Sequence, residues 1–213
     1  YAAHAACRSC GSPGGGCQFL GTAATAQVVA EALGLSLPHS ALAPSGTEIW
    51  KDMGRRSALA MLDLEKNGLT TADILSEKSL ENALALHCAF GGSTNLIMHL
   101  PAIAHQAGLR RPNVDDWRRF NAEIPRLVDA LPNGPHHFAT VQVFLAGGVP
   151  EVMLHLRDMG KLHLDAMTVT GQTVGENLDW WENSERRIRL KEKLTQLDSI
   201  DPEDVIQSPA RAR

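Results

Sequence analysis

The sequence lacks any excess of charge. Its 20 basic and 24 acidic side chains leave a net charge of −4, which gives a nucleic-acid or anionic-membrane partner nothing to hold. No apolar run reaches bilayer length, because His, Gln, Gly or Asp soon interrupts each one. No basic start followed by an apolar stretch marks a secretory leader, so the expected location is the cytoplasm. Repeats and low-complexity tracts are missing too. What remains is ordinary globular material: 213 residues, 44% hydrophobic and 21% charged, enough for one domain with a real core.

The ends carry little that looks terminal. The chain opens at Tyr1 and runs directly into Cys7, Cys10 and Cys17. It closes on Ser208-Pro209-Ala210-Arg211-Ala212-Arg213 after a polar stretch. The expectation is a piece of a longer protein, with 1–180 forming part of a domain. Residues 181–213 then form a charged surface segment and the start of a linker.

Local signals predict mostly helix. Small and apolar residues from Leu20 to Leu33 end at Gly34, a C-terminal stop. Helices are expected over Glu48–Lys66, after a cap at Thr70 or Thr71, from Ser79 to about Phe90, and over Leu96–Ala107. Another should run from Val114 to about Leu131, kinked or broken at Pro125, and another over Pro150–Met159. Phe138–Phe144, rich in β-branched and aromatic residues, reads as a buried strand, and Ala166–Thr170 as a short strand or extended segment. The expected class is therefore α/β, rich in helix.

Chemistry concentrates near the start. Cys7-Arg8-Ser9-Cys10 with Cys17 seven positions on is compatible with a partial zinc site, iron–sulfur ligands, a redox pair or free thiols. No second cysteine pair follows to complete a zinc site. Cys88, in an apolar helix, reads as a buried, inert thiol. Cys17 is different: it follows Gly14-Gly15-Gly16 and precedes a helix start. Free N–H groups stabilise a thiolate there, and the glycines let a cofactor approach. Such a loop could equally cradle a phosphate, but no Gly-Lys-Ser/Thr follows it.

Other candidates are weaker. Ser93, Thr94 and Asn95 could contact substrate, but small polar residues before Leu96 more readily cap its helix. Thr170, in the polar turn running to Asn177, is an even choice between site and turn. His99 reads as a core or interface histidine. His136-His137 could bind metal, but adjacent loop histidines are usually solvated. Trp180-Trp181 read as packing or subunit contact.

Several stretches together resemble the dihydroxy-acid dehydratase and phosphogluconate dehydratase family. They are Gly16–Ala23 leading to Glu31-Ala32-Leu33-Gly34-Leu35-Ser36-Leu37-Pro38; Gly91–Asn95 with His99-Leu100 and Ala102-Ile103-Ala104; Ala146-Gly147-Gly148; and Thr168–Thr173 with Glu176-Asn177. The wording of Thr140–Pro150 is nearest the branch acting on D-xylonate. The resemblance implies an α/β N-terminal domain with a β-rich C-terminal domain absent, and an iron–sulfur cluster, [2Fe–2S] or [4Fe–4S], held by three cysteines. It further implies Mg²⁺, an aldonic acid substrate and a 2-keto-3-deoxy acid product, made by a homodimer or tetramer. Of the cluster cysteines only Cys17 maps here, with Gly16 and Gln18 beside it. The other ligands, the Mg²⁺ ligands and the base are expected outside this chain, so the piece alone should be inactive. Cys10 sits one residue away from the family's usual upstream cysteine, and the Arg8-Ser9 pair departs from its Pro-Gly-rich text. No ligand role passes to Cys7 or Cys10. The competing expectation is a stand-alone cysteine-rich domain that binds zinc or a cluster without catalysis.

Overall fold

The computed structural model describes Cys17 and residues 19–212. They form α1 (Thr22–Ala32), α2 (Glu48–Lys66), α3 (Thr71–Ile74), α4 (Glu77–Phe90), α5 (Leu96–Gln106) and α6 (Val114–Glu123). Then come α7 (Thr140–Leu145), α8 (Gly148–Asp158), α9 (Val174–Glu182), α10 (Glu185–Asp198) and α11 (Pro202–Val205). Helix α4 is the axis. Every residue from Leu80 to Phe90 except Glu81 is buried, so α4 is covered on all sides, as a central helix must be. It packs on α1, α6 and α8, while α9 covers α8 and α10 covers α7.

Helix ends follow the local chemistry. Ser76 accepts the Ser79 N–H at the start of α4, and Asn113 accepts the Asp115 and Asp116 N–H groups at the start of α6. Helix α6 stops at Glu123, two residues before Pro125, so Pro125 ends the helix instead of kinking it. Gly34 must be glycine: its φ is +79°, and a Cβ there would lie 2.7 Å from the Met167 carbonyl oxygen.

The strand expected over 138–144 does not form, and the segment expected to be a short strand or extended is not paired beyond one bridge. Residues 140–144 of the predicted 138–144 strand fall in helix α7, and the 166–170 segment contributes one isolated bridge, Met167 to Thr173. Among the described residues no multi-residue strand pairs, so the molecule is helix-rich. The physical reason is burial without a partner. Val143 and Phe144 face the core, no neighbouring strand offers a ladder, and Gln142 Oε1 accepts the Ala139 N–H to start a helical turn. A six-residue apolar run does not by itself tell a buried helix from a buried strand.

Loop 38–46 is fixed by side chains of α1. Glu31 accepts the N–H groups of His39, Ser40 and Ala41 at 2.6, 3.1 and 2.9 Å, and Gln27 Oε1 accepts that of Leu42 at 3.0 Å. His39 is fully buried between the rings of Phe144 and Trp181, at centroid distances of 4.1 and 4.5 Å. Burial pushes the Glu31 carboxyl up to about 7, against the three N–H bonds that pull it down. The His39 imidazole is pushed down to about 3 by burial, aided by the Arg186 charge.

Candidate cofactor and substrate site

The site is built around the start of α1. Cys17 is exposed, its thiol directed to the Phe19 carbonyl at 3.5 Å. Its own carbonyl accepts from Thr140 Oγ1 at 2.8 Å, and the Leu20 N–H donates to the Leu131 carbonyl at 2.6 Å. These two bonds fix the chain at Cys17 and three residues after it, and the thiol borders a cavity of about 160 Å³ between α1, Thr140 and loop residues Leu42 to Ser45. The helix N-terminus beside that thiol is where free N–H groups and the helix dipole favour negative charge. Gly16, Gln18, Cys7 and Cys10 lie outside the described residues.

The Gly91–Asn95 turn lies against the same helix end. A Cβ on Gly92 would stand 2.7 Å from Thr25 Cγ2 and 2.8 Å from His87 Cδ2, so the backbone approaches α1 at a distance only glycine permits. The Ser93 N–H donates to Thr25 Oγ1 at 3.0 Å, and the Asn95 amide donates to Thr22 Oγ1. His87 Nε2 donates to the Ser93 carbonyl at 2.9 Å, which fixes the protonated nitrogen because a carbonyl only accepts. Asn95 makes no capping bond to α5, so the capping role expected of it belongs instead to a tie across to α1. Ser93 is half-buried, and Thr94 and Asn95 are exposed.

Thr170 is elsewhere. The Val169 N–H donates to the Gly34 carbonyl, which puts this turn at the C-terminal end of α1, an 11-residue helix about 16 Å long. The Thr170 hydroxyl is shared with Thr168 and Asn177, which hold the turn together. The structure therefore ties Ser93 and Asn95 to the N-terminal half of α1, the helix that follows Cys17, and places Thr170 at its other end. His99 is exposed, so of the core and interface readings given it from the sequence only the core one is corrected. Cys88 is buried, its thiol pushed up to about 12 by burial, and Trp181 is fully packed.

The sequence matches the family described as dihydroxy-acid/6-phosphogluconate dehydratase N-terminal over residues 1–177. The chain belongs to this family. Among curated relatives, D-xylonate dehydratases YagF and YjhG of Escherichia coli (strain K12) are 64% and 60% identical over 212 residues. Those alignments cover 100% of this chain and 32% of each relative. The dihydroxy-acid dehydratase of Mycobacterium ulcerans (strain Agy99) is 46% identical over 166 residues, 78% of this chain and 29% of that protein. The chain thus spans about a third of the length of these relatives.

The cofactors that the dehydratase family implies are an iron–sulfur cluster and Mg²⁺. Among the described residues no group of three or more His, Cys, Asp or Glu is placed to hold a metal ion. One exposed thiol at a cavity beside a helix N-terminus does fit a single cluster ligand, since the soft donor is accessible and the free N–H groups favour its thiolate. Sequence reasoning misses Glu31, which shapes the cavity wall by holding loop 38–46, and Asp129, which organises loop 129–138. Both act through bonds to backbone N–H groups that no local pattern encodes.

Proposed function

We propose that the longer protein to which this chain belongs dehydrates an aldonic acid such as D-xylonate to a 2-keto-3-deoxy acid, and that Cys17 is one of its iron–sulfur ligands. The observation that carries the reading is the exposed Cys17 thiol, locked through its backbone to Thr140 and through Leu20 to Leu131, ahead of a helix whose first turns also hold the Gly91–Asn95 turn. When bound, the cluster would supply a Lewis-acidic iron for the departing hydroxyl. This chain's part is to present a thiolate and to line the adjoining space with small polar groups. Cys17 would be the residue that holds the cluster, with Gly16 and Gln18 its neighbours in sequence. The exposed Thr94 hydroxyl and the Ser93 and Asn95 side chains orient the acid. The remaining ligands, the Mg²⁺ site and the base fall to the two-thirds of the enzyme beyond this chain. Residues 1–180 serve as part of its N-terminal α/β domain and 181–213 as a surface segment leading to a β-rich one. The whole enzyme works in the cytoplasm as a homodimer or tetramer.

The test is the whole enzyme made without oxygen, compared with Cys17→Ala. The expected result is loss of iron and sulfide together with loss of aldonate dehydration, while the circular-dichroism spectrum stays unchanged. Full cluster content and turnover in the variant would remove Cys17 from the ligand set.

A further inference from the structure

The loop joining Asp129 to Phe138 is shaped around one carboxylate. Asp129 has a side chain only 2% exposed, yet the imidazole it holds is 60% exposed. Its Oδ2 accepts both the His136 N–H at 3.0 Å and His136 Nδ1 at 2.8 Å, and its Oδ1 accepts the His137 N–H at 3.0 Å. Gly134 has φ +102°, and a Cβ there would lie 2.1 Å from Asp129 Oδ1, so the loop closes on the carboxylate at a distance only glycine allows. The carboxylate accepts from Nδ1, so Nδ1 is the donor, and in the matching tautomer Nε2 is the nitrogen that keeps a lone pair. Nε2 has no hydrogen-bond partner among the described residues. The two backbone bonds alone suffice to shape the loop. The third fixes the ring, whose plane also stacks on Phe138 at 5.6 Å.

The loop's position gives that ring a use. Leu131 accepts from Leu20, Asn133 donates to the Gly91 carbonyl, and Thr140, just beyond the loop, donates to the Cys17 carbonyl. Loop 129–138 therefore bridges the two segments that form the candidate site, and His136 stands at its exposed tip. We infer that His136 is a substrate-binding residue of that site, its Nε2 accepting a hydrogen bond from a hydroxyl of the polyhydroxylated acid, with Asp129 as the residue that positions it. The inference rests on the dehydratase reading and adds to it the group that recognises the sugar chain. An acceptor fixed in this way favours acids rich in hydroxyls over those whose remaining carbons are alkyl, because an unmet polar group is what discriminates.

The experiment uses the whole anaerobic enzyme with D-xylonate as the probe and compares wild type, His136→Phe and His136→Gln. Phe keeps the ring stacked on Phe138 but removes the acceptor, whereas Gln restores an acceptor oxygen. The expected result is a KM about tenfold higher for His136→Phe with kcat little changed, the loss of one neutral hydrogen bond. His136→Gln should stay near wild type, and iron and sulfide content should be equal in all three. An unchanged KM in His136→Phe would overturn the inference. So would equal impairment of both variants accompanied by cluster loss, which would assign His136 to the loop's structure. Inertness of the unsubstituted enzyme toward every aldonate would instead overturn the dehydratase reading, and this inference with it.

Discussion

Glu31 and His39 are neighbours with opposite titration. The Glu31 carboxyl, raised to about 7, favours the folded state when protonated, so its contribution is complete below about pH 4.5 and declines as pH rises to about 7. His39, lowered to about 3, favours the folded state when neutral, so its contribution is complete above about pH 6.5 and is lost as pH falls toward 3. Between about pH 4.5 and 6.5 the two slopes oppose each other, each approaching about 1.4 kcal/mol per pH unit. Replacing Glu31 with Gln is expected to unmask the histidine. Urea-unfolding free energy should then rise more steeply with pH across that window than in wild type. An identical slope in both proteins would show that Glu31 is ionised throughout and that its three N–H bonds outweigh its burial.

Among the elements, α2 is the least committed. Of its 19 residues only Met53 and Leu64 are buried, while Trp50 and Met61 are 47% and 63% exposed. A methyl group added at Gly54, in the helix interior, would meet nothing within 4 Å, so Gly54→Ala adds helix propensity without a clash. The expected gain is about 0.5–1 kcal/mol, visible as slower amide exchange along 48–66. Helix boundaries are the part of the fold most legible in the sequence, since Gly34, Thr70, Asn113 and Pro125 act on their own neighbours. Segment 140–145 misleads because its β-branched residues satisfy either geometry, and distant partners decide between them. Cys17 is legible from its glycines and the helix that follows. Its tie to Thr140, across 123 positions, is not, and neither is the carboxylate that organises His136.

For the whole molecule, one buried acid joins the last long helix to the core. Glu151 on α8 accepts from Trp181 Nε1, from Arg187 through two bonds and from Lys191, all within 3.2 Å. Burial opposes its charge, but Arg187 and Lys191 hold the carboxyl down at about 2. Its contribution to stability is therefore complete above about pH 4.5 and lost as pH falls toward 2. Glu151→Ala leaves the two cations and the indole N–H without their acceptor, at an expected cost of about 3 kcal/mol in unfolding free energy near neutral pH. The difference from wild type should shrink in acid. A constant difference from pH 7 to pH 3 would mean that packing, not charge, joins α10 to α8.

Three of the bonds that gather the candidate site end on main-chain carbonyls: Thr140 on Cys17, Leu20 on Leu131, Asn133 on Gly91. Every amino acid supplies that oxygen. Cys17 is kept by its thiol and Gly91 by a φ of +64°, but the side chain at Leu131 can drift over evolutionary time without dismantling the scaffold, and the tip between Gly134 and His137 is free to be rewritten for a new acid while the thiol stays where it is.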